Sequence, residues 1–479
     1  MNLADYFLLS ILYFWASSTA LSFGVGYYTV YRPVVSGLFT GLILGDPYVG
    51  MTAGAVVNLI YIDFVSTGGS FKGDQCLTAM IAALAAILLR LNPVEAAAAA
   101  YPFGFLGILI WKYRLNINSI FVRKYEKEFN EGNNTNISLY DGWYPQLLLY
   151  VMSTAIILSA VFIMLILKDF ITGINNALFL AGLFLTFAST FNILYKLKNI
   201  KVMFIFSALL VVTLFVNISS FIVFIAALAI ILKLANKNLI IYNHKHIKEN
   251  AIINKKDLIY TWFIWKNFSH SCYSYERFQG LAFAHSLKNI FKKLYNTEKE
   301  RKIFVHKHSE SFNTEPNMGS PILGYIIALE EDYAQNQNEN NIMFIKKGMM
   351  GIAAGMGDSY TQVVLTPIFV SMSLMLCLDD KFVAAIIPII LLATIILLIS
   401  YTGLMKGYYE GKQSLIERIN IVKNSNVKLY FPFIFSGILG VSLGKLIVQQ
   451  KNFYNLTIFG VVGIISMIYT LVKIKRSQN

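Results

Sequence analysis

Carboxylates and amides set in strongly apolar sequence are the residues of this chain best placed to do chemistry. Asn58, Asp63 and Asp74 lie in or beside a break in the stretch from Gly54 to Thr78, where Ser66-Thr67-Gly68-Gly69-Ser70 interrupts two apolar runs. Backbone that leaves a helix at membrane depth carries unpaired N–H and C=O groups, tolerated only where protein or a water-filled cavity satisfies them. Transporters place substrates at such breaks, which makes Asn58, Thr67 and Asp74 candidates for substrate contact. An extramembrane hairpin with Asp74 as a helix N-cap is the plainer reading of the same residues. A second group, Glu276, Gln279, Asn313 and Asp358, belongs to the other end of the chain. Amide and carboxylate side chains hydrogen-bond hydroxyl groups, although surface charge and turn capping are their commoner roles. Just before Asp358, Gly348, Gly351 and Gly355 share one helix face, which predicts tight helix packing there.

Several chemistries are excluded. There is no Walker A sequence, no GxGxxG after a strand, no HExxH and no GxSxG. All six histidines fall between His244 and His308. The spacing of His244/His246 and of His306/His308 puts each pair on opposing sides of a helix, so solvated histidines are expected rather than a metal site. Cys76, Cys272 and Cys377 are the only cysteines and form no CxxC, so neither a disulfide framework nor a metal motif is indicated. No cofactor is expected.

The elements that must position these side chains follow from composition. The chain has 479 residues, 56% of them hydrophobic and only 14% charged, which excludes an ordinary soluble protein. Several runs reach the ~20 residues a spanning helix needs. Net charge is +14, and the basic residues lie mainly between apolar runs, as in cytoplasmic loops beside anionic lipid. The N-terminal apolar run has no basic residues before it and reads as a retained span or interfacial helix. Pro33 opens a run too short to cross, from Val34 to Leu44. Further runs are expected at 48–64, 76–91, 146–167, 171–194 and 202–234, with Pro102 kinking or ending a helix. Residues 112–145 form a polar excursion of mixed charge. Residues 235–256 read as a basic linker, 257–345 as an amphipathic block without an 18-residue apolar run, and 346–479 as a second membrane part. The fold expected is all-α: a polytopic integral membrane protein with two membrane lobes (1–234 and 257–479), broken or re-entrant helices, and an amphipathic helical block between the lobes.

Ordered motifs carry a resemblance. Arg32-Pro33, the Gly41…Leu44-Gly45-Asp46…Gly50 pattern, Gly54 with the segment after it, and Asp74 resemble enzyme IIC. Tyr275-Glu276-Arg277-Phe278-Gln279-Gly280, Phe312-Asn313-Thr314-Glu315-Pro316, Ser320-Pro321-Ile322-Leu323-Gly324 and Gly348 to Asp358 resemble enzyme IID. Together these are the membrane components of the mannose/fructose/sorbose family of the bacterial phosphoenolpyruvate–sugar phosphotransferase system (PTS). The family normally carries the two components on separate chains, and here they look fused. The resemblance implies a multi-pass protein of the bacterial cell membrane that imports a hexose or amino sugar. It also implies phosphorylation of that sugar by a separate IIB subunit with its IIA partner, and a homotrimer. No phosphoryl-carrying residue is expected in this chain, so its enzyme status stays open. Many family members have a glutamate where Asn58 stands, and the surrounding segment looks more like the amino-sugar subfamily. An ion-coupled secondary sugar transporter, using Asp74 and Asp358 as ion ligands, is the alternative.

Overall fold

Helix length decides which apolar runs can cross a bilayer unaided. The computed structural model describes residues 1–63, 72–133, 135–235, 239–241, 251–338, 341–449, 460–461, 463–470 and 472–473. Every named element among them is helical, beside two isolated β-bridges, Ser274 to Phe278 and Phe278 to Phe312. The first half contains α1 (Leu3–Ser17), α2 (Pro33–Leu44), α3 (Pro47–Ile60), α4 (Gln75–Leu88), α5 (Pro93–Ala100), α6 (Gly104–Asn130), α7 (Tyr144–Ile166), α8 (Lys168–Gly173), α9 (Asn175–Lys196), α10 (Ile200–Phe215) and α11 (Ser220–Leu234). The second contains α12 (Lys255–Phe268), α13 (Gly280–Leu294), α14 (Glu298–His308), α15 (Ser320–Asn336), α16 (Ile342–Gly357), α17 (Thr366–Cys377), α18 (Phe382–Glu410), α19 (Lys412–Lys423) and α20 (Asn426–Val448). Among the described residues, six helical stretches are long and apolar enough to cross a membrane: Pro93–Asn130, Leu139–Ile166, Asn175–Lys196, Ile342–Cys377, Phe382–Glu410 and Lys412–Val448. The protein is thus all-helical and polytopic.

The helices that carry the first group of candidates are of another kind. α2 has 12 residues and α3 and α4 have 14 each, about 18–21 Å at 1.5 Å per residue, against a hydrocarbon core of ~30 Å. α4 is nevertheless buried from Gln75 to Ala86 and α3 from Ala53 to Ile60, so these lengths of the two helices are enclosed by protein. Local signals start them: Pro33 and Pro47 stand in the first turns of α2 and α3, where a missing N–H breaks no helical bond. Asp46 caps α3 by accepting from the Val49 N–H at 3.0 Å. Asp74 caps α4 by accepting from the Leu77 N–H at 2.9 Å. α2 and α3 meet backbone against backbone. A Cβ on Gly37 would overlap the Gly50 carbonyl, and one on Gly54 the Pro33 carbonyl.

Several expectations are corrected. The run 202–234 is two helices, α10 and α11, broken between Phe215 and Ser220. Pro102 does mark the end of an α-helix: α5 stops at Ala100, and one 3₁₀ turn at Tyr101–Phe103 leads into α6. Much of the polar excursion is α6 itself, continuing to Asn130. Gly348, Gly351 and Gly355 have nothing within 4 Å of an added Cβ, because their helix face points away from the rest of the chain. Close packing is made elsewhere. A Cβ on Gly440 of α20 would overlap the Phe206 carbonyl of α10, and one on Gly444 would press on Thr213. Two histidines are buried rather than solvated. His308 bonds Glu330 and His285 bonds Asp141, each at 2.8 Å. Burial pulls the His308 imidazole below its usual value despite Glu330.

α20 therefore packs on α10 and ties the second half to the first. The Lys445 ammonium at its end reaches Asp379 at 2.6 Å and Asn217 at 2.9 Å, and Asp379 also accepts the Ser220 N–H at 3.1 Å. The tightest test of this packing lies in α2–α3. Gly54→Val forces two backbones apart, and overpacking of this kind costs roughly 1–3 kcal/mol or more. Thermal unfolding of the detergent-purified variant should show a clear loss of stability. An unchanged transition would mean that α2 and α3 do not touch there.

Candidate functional site

One loop of the second half, 309–319, is held so that it faces the first half. Gln279 grips its middle from both sides: its amide N–H donates to the Thr314 carbonyl and its carbonyl accepts from the Thr314 N–H, both at 2.9 Å. The Trp265 indole donates to the Pro316 carbonyl at 3.0 Å. The loop thereby presents Asn313, Glu315 and Asn317.

Glu315 is 7% exposed and is surrounded by donors. The N–H groups of Asn317 and Met318 donate to it at 3.1 and 2.7 Å, and so does the Asn317 amide at 2.5 Å. The fourth donor comes from the first half, the Tyr28 hydroxyl at 3.1 Å. Tyr28 in turn accepts from the side-chain amides of Gln362 at 2.8 Å and Asn317 at 3.2 Å. Lys266 completes the chain by donating to the Asn317 carbonyl oxygen and, at 3.3 Å, to the backbone carbonyl of Gly24. Burial pulls the Lys266 ammonium down to about 8, with Glu315 opposing the fall. A carboxylate and an ammonium, each desolvated, are held in one hydrogen-bonded network that crosses between the halves.

Beside this network lies a cavity of about 360 Å³, inside the ~300–1,000 Å³ range of small-molecule sites. Tyr27, Tyr28 and Tyr31 line it from the first half, and Tyr273, Asn313 and Asp358 from the second. The Arg114 guanidinium at its wall donates to the carbonyls of His270 and Ser271 at 2.8 and 2.9 Å. Burial, then Arg114, then Lys266 bring His270 down to about 4, so its imidazole is neutral at physiological pH. A smaller pocket, lined by Arg32, Asn58 and Gln75 among others, shares Tyr27 and Gln362 with the large one.

The candidates from the sequence fall into different places. Asn58, 3% exposed, lines the small pocket. Asn313 and Asp358 line the large one, where Asn313 accepts from the Tyr273 hydroxyl at 3.1 Å. Thr67 lies outside the described residues. Asp74 is fully buried and lines neither pocket; besides capping α4 it accepts from the Tyr13 hydroxyl at 2.8 Å. Asp63 is paired with Lys72 at 2.7 Å and with Asn192 at 2.6 Å. Gln279 supports the loop from behind. Glu276 stands on the surface, paired with Arg123 at 2.5 Å, away from both pockets. Sequence reasoning did not single out Tyr28, Lys266, Glu315, Asn317 or Gln362. Glu315 belongs to the Phe312–Pro316 motif and Asn317 directly follows it, a stretch whose plain reading is turn capping. No periodicity marks a carboxylate whose donors come from the opposite half of the chain.

The structure is thus that of an all-helical, multi-pass protein with a cavity lined from both of its halves. Residues 3–234 match the family model for the PTS sorbose-specific IIC component, and residues 252–430 that for the PTS mannose/fructose/sorbose family IID component. The chain belongs to this family of membrane permease components, with a IIC and a IID component fused in one polypeptide. It is similar to the fructose permease IID component of Bacillus subtilis, 31% identical over 170 residues that make up 35% of this chain and 61% of the relative. The mannose-specific EIID component of Escherichia coli is 32% identical over 165 residues, 34% of this chain and 56% of that one. The sorbose-specific EIIC component of Lacticaseibacillus casei is 23% identical over 127 residues, 26% of this chain and 46% of that one. The chain thus spans about six-tenths of the length of the curated IID relatives it matches. Among solved structures, a cryo-EM complex of the mannose transporter ManYZ with a microcin is 27% identical, covering 42% of this chain and 72% of that one at a TM-score of 0.32.

The cross-half network predicts the effect of removing its central hydroxyl. Tyr28→Phe takes one donor from a buried carboxylate and one acceptor from two amides, a loss of about 1–3 kcal/mol. Thermal unfolding should shift downward by that measure, whereas Tyr275→Phe, at an exposed residue, should leave it unmoved.

Proposed function

We propose that this chain is the sugar-translocating membrane component of a mannose-type, phosphoenolpyruvate-dependent sugar phosphotransferase system. Residues 1–234 serve as the IIC-like domain, 235–256 as the linker and 257–479 as the IID-like domain. The observation that carries the proposal is the cavity, lined from both halves by tyrosines and from the second half by amides and carboxylates. Such a lining suits a hexose or amino sugar. An amide both donates to and accepts from hydroxyls, and a carboxylate accepts from a hydroxyl or an ammonium. Tyrosine rings offer apolar faces to the C–H side of a sugar ring with a polar tip beyond.

Asn58, Asn313 and Asp358 contact the sugar. Gln279 positions the loop that carries Asn313, and Asp74 fixes the start of α4 beneath the site. The three short helices α2, α3 and α4, none long enough to anchor itself across the bilayer, supply the unit whose displacement exposes the sugar to the inside. A separate IIB subunit, charged through IIA, transfers the phosphoryl group there, because this chain has no phosphocarrier motif. The basic loops favour a phosphorylated, hence anionic, partner. The working assembly is a homo-oligomer, a trimer by family resemblance.

Membranes containing this chain, its IIB partner and a phosphoryl donor should convert a sugar of this class to its phosphate. Asn58→Ala and Asn313→Ala should each weaken sugar binding about tenfold, the scale of one lost hydrogen bond. Accumulation in vesicles driven by a sodium or proton gradient, with no phosphoryl donor, would contradict the proposal. Intact binding in both folded variants would contradict the site.

A further inference from the structure

The small pocket holds a feature that the sugar cavity does not explain. Arg32 is 7% exposed and lines it. Among the described residues no carboxylate lies within ion-pairing distance of its guanidinium, and its Nε has no hydrogen-bond partner. The guanidinium lies over the face of the Tyr27 ring, 4.6 Å from its carbon to the ring centroid. The amide nitrogen of Asn58, on the same pocket, is likewise buried without an acceptor. No acidic residue occurs among the described residues that line this pocket.

Among the described residues, other buried cations make side-chain hydrogen bonds even where one donor stays idle, as the Nε of Arg114 does. Lys266 has Asn317 and the Gly24 carbonyl, Arg114 two backbone carbonyls, and Lys445 the Asp379 carboxylate. A buried charged group without hydrogen-bond partners is unfavourable, so the guanidinium, with the idle Asn58 amide donor on the same pocket, marks a place built for an acceptor that arrives with a ligand. Guanidinium groups fit oxyanions in a planar, two-pronged geometry. Volume limits what enters. The pocket measures about 30 Å³, room for a water or two or a small group and not for a sugar ring. It adjoins the large cavity through the shared residues Tyr27 and Gln362. A ring in the large cavity can therefore send one substituent into it.

We propose that Arg32 and Asn58 form an oxyanion subsite of the sugar cavity, so that the transported sugar carries a carboxylate or sulfate group. This rests on the sugar-cavity reading above and narrows its substrate class to acidic sugars.

Binding to the purified full chain tests it. Glucuronate and glucosamine 6-sulfate are compared with glucose and glucosamine, with glucose 6-phosphate and inorganic phosphate as separate probes. In the wild type at least one acidic sugar should bind about tenfold or more tightly than its neutral counterpart, the scale of a charge-assisted pair. That ratio should fall to about one in Arg32→Gln. It should also fall in Asn58→Asp, which provides the guanidinium with an internal carboxylate and so favours a folded protein. Equal binding of acidic and neutral sugars by the wild type, or an acidic preference that persists in both variants, overturns the inference. Tighter binding of glucose 6-phosphate or of phosphate alone than of either acidic sugar overturns it too, by making the pocket a phosphoryl site. Should neutral sugars bind and be phosphorylated while acidic ones are ignored, the inference fails and the proposed function stands. Should no sugar bind at all, both fail.

Discussion

A carboxylate taken out of water has to be supplied with donors, and Glu315 receives two from its own turn, one from the Asn317 amide and one from across the molecule. That last donor, the Tyr28 hydroxyl, is what makes the arrangement of the halves specific. Apolar helix faces would slide on one another at little cost, whereas an ill-placed Tyr28 leaves a buried charge short of a hydrogen bond. Gln362, Asn317 and Lys266 extend the same network, so the wall of the cavity and the joint between the halves are one structure. The packing of α10 on α20 and the pairing of Lys445 with Asp379 secure the joint at a second place.

Around that joint, helix length does the rest. Longer helices pack against α3 and α4, whose first turns are satisfied by local caps and by neighbouring protein: the Asp74 N–H, for instance, donates to the Gly104 carbonyl at 2.8 Å. Glycines let these short helices sit with their backbones in contact. Polar groups at Asn58 and Asp74 are thereby buried within the protein.

Much of this was legible in the amino-acid order. The apolar runs, the short run after Pro33, the capping role open to Asp74 and the two ordered motif sets all correspond to local or family signals that do not depend on tertiary contacts. The remainder needed three dimensions. A glycine stripe specifies a smooth helix face but not whether anything lies against it, and Gly348, Gly351 and Gly355 face outward while Gly440 and Gly444 make the contact. Histidine spacing says nothing about burial, which for His285 and His308 is decided by Asp141 and Glu330. Gln279 and Asn313 look alike as isolated amides; their separation into a support and a cavity-lining residue comes from which side of one loop each occupies. Tyr28 and Glu315 are 287 residues apart, beyond any local pattern.

The account depends on one ligand being held by both halves at once, and a structure of the full chain with a bound sugar tests that most directly. The account predicts ligand density in the cavity between Tyr27 and Tyr31 on one side and Asn313 and Asp358 on the other, with the Tyr28–Glu315 contact intact behind it. Density confined to one half, or a sugar-bound form in which Tyr28 and Glu315 have parted, would contradict it.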